Sequence, residues 1–101
     1  MDEIWSPAFF KALCEPSRLA ILQQLIRCSE ALTVGEIAAC CPLNLSVVSR
    51  HLATLRDAGI LTAEKRGKEV YYSLQAKSVA DALRALASAI EGPPTTEEQT
   101  P

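Results

Sequence analysis

At 101 residues the chain has the length of one small domain, and its formal net charge at pH 7 is −2. Apolar residues make up 49% of it and charged residues 22%, which is typical of a globular domain and excludes a wholly disordered chain. Its apolar runs fall far short of the ~20 residues that cross a bilayer, and no hydrophobic leader opens it. We therefore expect a cytoplasmic protein with no membrane partner and without a second, catalytic domain.

The small net charge conceals an uneven distribution. Residues 43–77 carry six basic side chains against three acidic ones, a surplus of +3, so the remainder carries −5. Four of the acidic residues lie near the termini: Asp2, Glu3, Glu97 and Glu98. This pattern favours a basic working surface, as nucleic-acid binding requires, over a solvated scatter of charges.

Helical spacing dominates the first third of the chain. An opening helix with Pro7 in its first turn is predicted by apolar residues three and four apart: Ile4, Trp5, Ala8, Phe9 and Leu13. A second helix is predicted from Pro16, whose fixed φ suits the first helical position, to about Cys28. Its apolar stripe consists of Leu19, Leu22, Leu25 and Ile26.

Two further helices follow a short distance apart. Thr33 and Glu36 have the spacing of a capping box, and the short helix that they begin ends before Pro42. Asn44 is a preferred N-cap for the next helix, and Gly59 provides its left-handed stop. Each start also has a hydrophobic staple: Leu32 with Ile37, and Leu43 with Val48. The two helices are therefore joined by a turn of four residues, 41–44.

The fourth helix has two unlike faces. A rotation of about 100° per residue places Val48, Leu52 and Leu55 on one side, which we assign to the core. The opposite side carries small or polar residues, without a bulky side chain that would keep a surface away: Ser46, Arg50, Ala53 and Asp57, with Ser49 and Thr54 at its margins.

After Gly59 the period changes to two, which predicts strands over 60–64 and 70–74. The hairpin between them has a cationic tip that contains Gly67: Lys65, Arg66 and Lys68. Ser78 and Asp81 predict the start of a final helix, which ends at Gly92. We therefore expect a domain over residues 1–91 and a disordered tail over 92–101.

This order of elements predicts a mainly α fold with a β-hairpin. It is the arrangement of a winged helix-turn-helix domain, with about five helices and a two-stranded wing. A helix fits the major groove, its N-terminal residues reach base edges, and nearby cations neutralise phosphates. We assign base-edge contacts to Ser46, Ser49 and Arg50, and phosphate contacts to the hairpin cations Lys65, Arg66 and Lys68. Arg50 suits a bidentate contact with guanine, the alternatives being a phosphate contact or solvation.

The sequence resembles the ArsR/SmtB family of bacterial winged-helix repressors over roughly residues 8 to 90. The resemblance is carried by residues 10–22 (FKALCEPSRLAIL), 32–38 (LTVGEIA), 46–61 (SVVSRHLATLRDAGIL) and 67–74 (GKEVYYSL). It implies a homodimer that is joined through the first and last helices, binds a palindromic DNA operator and is released by a metal ion, a metalloid ion or another signal. It also implies that the helix carrying Ser46, Ser49, Arg50 and His51 enters the major groove.

A dimer is also indicated by the amount of apolar surface. The two ends of the chain carry more of it than a small core readily covers, and we assign it to a dimer interface: Trp5 and Phe9 near one end, and Leu83, Leu86 and Ile90 near the other. Pairing would place two reading helices ~34 Å apart, one DNA turn. The alternative is that these residues complete the core of a single chain.

The resemblance implies two common types of effector-binding site, and this sequence lacks the residues of both. The stretch that in the family often carries Cys-Val-Cys reads LTVGE here, and the last helix has Asp81 and Glu91 without a histidine between them. Thiolates prefer soft ions, so we assign a possible site for As(III), Hg(II) or another thiophilic ion to Cys14, Cys40 and Cys41. Cys41 takes the place of a buried leucine and Cys40 should be more exposed. A thiol redox switch at the same residues and purely structural cysteines remain alternatives. We expect free thiols and no obligatory cofactor.

An enzyme is disfavoured because the chain has one histidine and no glycine-rich phosphate loop. The sequence therefore favours a DNA-binding transcriptional repressor. A winged helix that binds another protein is the alternative, and the salt dependence of binding separates the two.

Overall fold

The computed structural model describes residues 6–41 and 43–92. Within these ranges it contains five helices and three strands, in the following order: α1 (Pro7–Leu13), α2 (Pro16–Cys28), β1 (Leu32–Thr33), α3 (Val34–Cys40), α4 (Leu45–Asp57), β2 (Leu61–Arg66), β3 (Glu69–Leu74) and α5 (Ala76–Glu91). The predicted fold class, mainly α with a winged helix-turn-helix, is confirmed. Trp5, which we assigned to a dimer interface, and most of the predicted tail lie outside the described residues.

The first four helices begin where local capping chemistry predicts. The Thr33 hydroxyl accepts the Glu36 N–H at 3.2 Å, and the Glu36 carboxylate accepts the Thr33 N–H at 2.9 Å, which confirms the capping box. The Asn44 side chain accepts the Val47 N–H at 2.9 Å, as its N-cap role requires. Pro7 and Pro16 stand at the first turns of their helices.

The start of α5 differs from the prediction. The helix begins at Ala76, and Gln75 precedes it without a side-chain cap, so Ser78 lies inside the first turn. The reason is the sheet: the Gln75 N–H donates to the Ile60 carbonyl at 2.8 Å, and the chain passes from strand into helix at that point. Asp81 accepts bonds from the side chains of Lys77 and Arg84 instead of closing a capping box.

The sheet has one strand more than the predicted two-stranded wing. β1 pairs antiparallel with β3, Leu32 opposite Tyr72, and the strand order is β1-β3-β2. A strand of two residues shows no alternation, so the sequence pattern could not reveal it. β2 is also longer than predicted and includes Lys65 and Arg66, which leaves Gly67, at φ +63°, and Lys68 to form the turn.

One core joins the helices to the sheet. As predicted, Val48, Leu52 and Leu55 of α4 are wholly buried, and α4 packs against α1, α2, α3 and β2. Phe9 belongs to this core and is only 7% exposed, because α1 lies on α2 and α4. That position corrects the prediction that Phe9 forms part of an exposed dimer face. Among the described residues, no helix combines the length and the apolar character needed to cross a membrane.

Two glycine substitutions are expected to change stability in opposite directions. Gly59, just after α4, has φ +82°, so Gly59→Ala should lower the free energy of unfolding by about 1 kcal/mol through backbone strain. Gly35 lies in α3, and the nearest atom to an added Cβ is the Thr33 Oγ1 at 4.0 Å. Gly35→Ala should therefore raise stability by up to about 1 kcal/mol. Urea unfolding measures both, and equal effects at the two positions would contradict this account.

Candidate nucleic-acid interface

The turn between α3 and α4 is fixed by its own buried residues. Cys41 is 5% exposed, its N–H donates to the Ile37 carbonyl at 3.0 Å, and Leu43 packs against the core. The N-terminus of α4 is therefore held against α3. Burial, and next the neighbouring Cys40, raise the pKa of the Cys41 thiol. Cys41 accordingly behaves in this conformation as a small buried hydrophobe.

The outer face of α4 presents the predicted reading residues to solvent. Ser46, Ser49 and Arg50 are all exposed. The Ser46 hydroxyl donates to the Asn44 side-chain oxygen at 2.9 Å, which leaves its lone pairs free to accept. Thr54 donates to the carbonyl of Arg50 at 3.1 Å. No carboxylate of residues 6–41 and 43–92 pairs with the Arg50 guanidinium.

His51 is turned away from this face, so the structure favours local packing for it over the contact with DNA that the resemblance implies. Its side chain is 17% exposed and points toward the junction of α1 and α2. The Nδ1 atom lies 3.2 Å from the Arg18 Nη1, and the Nε2 atom lies 3.8 Å from the Glu15 carboxylate. Because arginine only donates, Nδ1 is the acceptor in this contact. His51 therefore helps to hold α4 against the junction of α1 and α2, on the side of α4 that faces away from Ser46 and Arg50.

Arg18 connects three parts of the fold at this junction. Its Nε donates to the Ala12 carbonyl at 2.6 Å, and its Nη2 donates to the Lys11 carbonyl at 3.1 Å. These carbonyls belong to the last turn of α1, and the Lys11 carbonyl also accepts the N–H of the C-cap Cys14 at 3.1 Å. With the contact to His51, one guanidinium thus joins α1, α2 and α4.

Of the three cations predicted in the wing, two have no acidic partner in the described part of the chain. Lys65 and Lys68 are exposed and form no ion pair within the described part of the chain. Arg66 is engaged instead: its Nη2 lies 3.0 Å from the Glu64 carboxylate, and its guanidinium lies 4.5 Å from the centre of the Tyr71 ring. The free positive charge of the hairpin therefore comes mainly from the two lysines.

Sequence reasoning missed one residue of this surface. Leu45, the first residue of α4, is 56% exposed, although we predicted a face without bulky side chains. The helical-wheel argument assigned the inner and outer sides and left the first residue unconsidered. The position of Leu45 directly after the N-cap Asn44 was the sequence feature that could have identified it as part of this surface.

The three cysteines assigned to a thiophilic-ion site are not brought together. Cys14 and Cys40 are exposed and Cys41 is buried, and all four cysteines of the chain are free. No three His, Cys, Asp or Glu side chains in the described ranges form a group that could hold a metal ion. Cys40 is the last residue of α3, whereas Cys41 is its C-cap in an extended conformation, φ −110° and ψ 125°, and its side chain is buried in the core.

The last helix carries the remaining predicted interface residues. Leu83 is 42% exposed and Ile90 is 76% exposed, while Leu86 is half-buried. No residue of α5 is fully buried in the single chain. An amphipathic helix with an uncovered apolar side needs a partner to bury it.

A capped helix with a free polar face, held against a second helix and flanked by a basic hairpin, defines a winged helix-turn-helix protein. Residues 13–64 match a family described as a helix-turn-helix domain. The chain belongs to this family and is a member of the ArsR family of transcriptional regulators.

Two curated relatives and one solved structure illustrate the similarity. The chain is 35% identical to a "Transcriptional repressor SmtB homolog" of Synechocystis over 82% of its length and 61% of the relative's. It is 40% identical to "Arsenic resistance transcriptional regulator ArsR1" of Pseudomonas putida over 73% of its length and 58% of the relative's. The chain thus spans about three fifths of these relatives.

The solved structure is the homodimeric winged helix-turn-helix DNA-binding domain of a possible ArsR-family regulator from Mycobacterium bovis. It matches with a TM-score of 0.69 and 30% identity, over 89% of this chain and 79% of that one.

Proposed function

We propose that the chain is a DNA-binding transcriptional repressor that binds a palindromic operator as a homodimer and is released by an effector. The observation that carries the proposal is the uncommitted polar face of α4. The guanidinium of Arg50 and the hydroxyls of Ser46 and Ser49 are exposed, while Val48, Leu52 and Leu55 on the opposite side of the helix are wholly buried. Such a face suits base edges and phosphates in a major groove.

The charges around this face support DNA over a protein partner. Arg50, Lys65 and Lys68 are exposed cations without carboxylate partners in the described ranges, whereas Arg56 is paired with Asp57 at 3.1 Å. Free cations on a helix and on an adjoining hairpin are what phosphate neutralisation requires. The proposal assigns the chain no catalytic activity.

The dimer is supported by α5. Its exposed apolar residues, Leu83 and Ile90, lie on a helix that the single chain does not cover. A twofold axis through this region would repeat α4 at the next major groove of a palindrome. The Mycobacterium bovis relative is described as homodimeric, in agreement with this arrangement.

Operator binding tests the proposal directly. Duplexes selected from a random DNA pool by the full chain should be bound as palindromes, and log affinity should fall linearly with log salt. The variant Lys65→Gln/Lys68→Gln should reduce the slope by about 3 to 4, which corresponds to two phosphates in each protomer. Ile90→Glu should abolish dimers in analytical ultracentrifugation and weaken binding. A parent chain that enriches no duplex would overturn the proposal, and salt-insensitive binding would favour the protein-interaction alternative.

The effector part of the proposal is a thiophilic ion such as As(III) or Hg(II). It is supported by the exposed thiols of Cys14 and Cys40, and a complete site would require a rearrangement or ligands from two protomers. In the same binding assay, either ion should release the parent from its operator, and Cys14→Ser or Cys40→Ser should reduce that response. Release by peroxide alone would favour the redox alternative, and a response unchanged by all cysteine variants would exclude both.

A further inference from the structure

A large apolar side chain stands at the start of the helix that we propose reads DNA. Leu45 is 56% exposed, although leucine is among the residue types most often buried. The interior at this corner is already filled, because Leu43 packs against the core and Val48 is wholly buried. The methyl groups of Leu45 are therefore left outside the core, in contact with solvent.

The neighbours of Leu45 place it at the part of the helix that approaches base edges. It precedes Ser46 directly and shares a helix face with Ser49, four residues on, and both serines are exposed. In helix-turn-helix proteins the N-terminal residues of the second helix are the ones that reach the bases. The serines offer hydrogen-bonding groups at this position, and Leu45 offers only methyl groups.

We propose that Leu45 determines operator specificity by packing against the 5-methyl group of a thymine in the major groove. Among the groups that the four base pairs present there, the thymine methyl is the apolar one, and the others are hydrogen-bond donors and acceptors. A leucine over a donor or acceptor would remove its water without a replacement bond. The side chain thus favours T·A at one position of each half-site and disfavours the other pairs. This inference rests on the proposed function and adds a base preference to it.

The size of the effect follows from burying one methyl group. Loss of that group should weaken binding about fourfold for each half-site, and about 15-fold when both half-sites of a palindrome are changed. Removal of the leucine should abolish this dependence and leave the contacts of the serines, Arg50 and the wing in place.

Replacement of thymine by deoxyuridine tests the inference, because it deletes only the 5-methyl group. Each thymine of a selected operator is replaced in turn, and affinity is measured by fluorescence anisotropy for the parent, for Leu45→Ala and for Leu19→Ala. Leu19 is a matched control, since it is 48% exposed and lies on α2. Urea unfolding checks that Leu45→Ala folds as the parent does, as expected for a side chain outside the core.

We expect one thymine per half-site whose replacement weakens the parent and Leu19→Ala about fourfold and leaves Leu45→Ala unaffected. If Leu45→Ala retains the parent's response at every thymine, or if no thymine responds in the parent, the inference is overturned while the proposed function stands. If the parent binds no duplex, both fail.

Discussion

Arg50→Ala is expected to weaken operator binding by about 30-fold or more, the largest effect of a single substitution on DNA affinity. A bidentate contact with guanine contributes about 1–3 kcal/mol, and a dimer makes two of them. The structure leaves the Arg50 guanidinium exposed and without a carboxylate partner in the described part of the chain. Arg56→Ala is the matched control: Arg56 lies in the last turn of the same helix and already pairs with Asp57, so it should lose less than about threefold.

Arg50→Lys separates the two contacts that are open to this residue. Lysine keeps the charge and loses the planar fork that matches guanine O6 and N7. If Arg50 contacts guanine, the lysine variant should lose most of the affinity and relax the preference at one base pair. If Arg50 contacts a phosphate, the lysine variant should bind nearly as the parent does, with an unchanged salt slope. Full affinity in Arg50→Ala would show that Arg50 is solvated in the complex and makes neither contact.

The sequence predicts the features that depend on neighbouring residues. The capping box of Thr33 and Glu36, the N-cap of Asn44 and the buried stripe of α4 all arise within one or two helical turns, and the structure confirms each. The unequal burial of Cys40 and Cys41 likewise agrees with the prediction, in which Cys41 takes the place of a buried leucine.

The features that the sequence did not predict depend on residues far apart in the chain. His51 lies three residues after Val48 and four before Leu55, so helical spacing already places it beside the buried stripe. Its partner Arg18, 33 residues earlier, is what no local pattern reveals. The strand β1 exists only because Leu32 meets Tyr72. The engagement of Arg66 with Glu64 and the Tyr71 ring requires the actual strand register, which extends the hairpin beyond the predicted turn. Counting Lys65, Arg66 and Lys68 as three free charges therefore overestimated the free positive charge of this hairpin.

Arg18→Ala is expected to have the largest effect on stability among the substitutions considered, a loss of about 2–3 kcal/mol in the free energy of unfolding. Hydrogen bonds to charged groups contribute about 1.5–3 kcal/mol, and this guanidinium donates to two α1 carbonyls and approaches His51. For a domain of this size the change corresponds to a fall in Tm of roughly 10 °C or more. Arg27→Ala is the control: Arg27 is exposed in the last turn of α2, and its loss should cost less than about 1 kcal/mol.

The same substitution should also weaken DNA binding, because Arg18 supports α4 through His51. A double-mutant cycle with His51→Ala measures this coupling, which should lie between about 0.5 and 3 kcal/mol for residues in one hydrogen-bonded network. Arg18→Lys should restore less than half of the stability, since one ammonium cannot reach the Lys11 carbonyl, the Ala12 carbonyl and the imidazole together. Additive effects of Arg18→Ala and His51→Ala, together with full rescue by lysine, would show that the junction is held by packing alone. α4 would then be positioned only by its buried face, and the inward rotation of the histidine would have no influence on the reading surface.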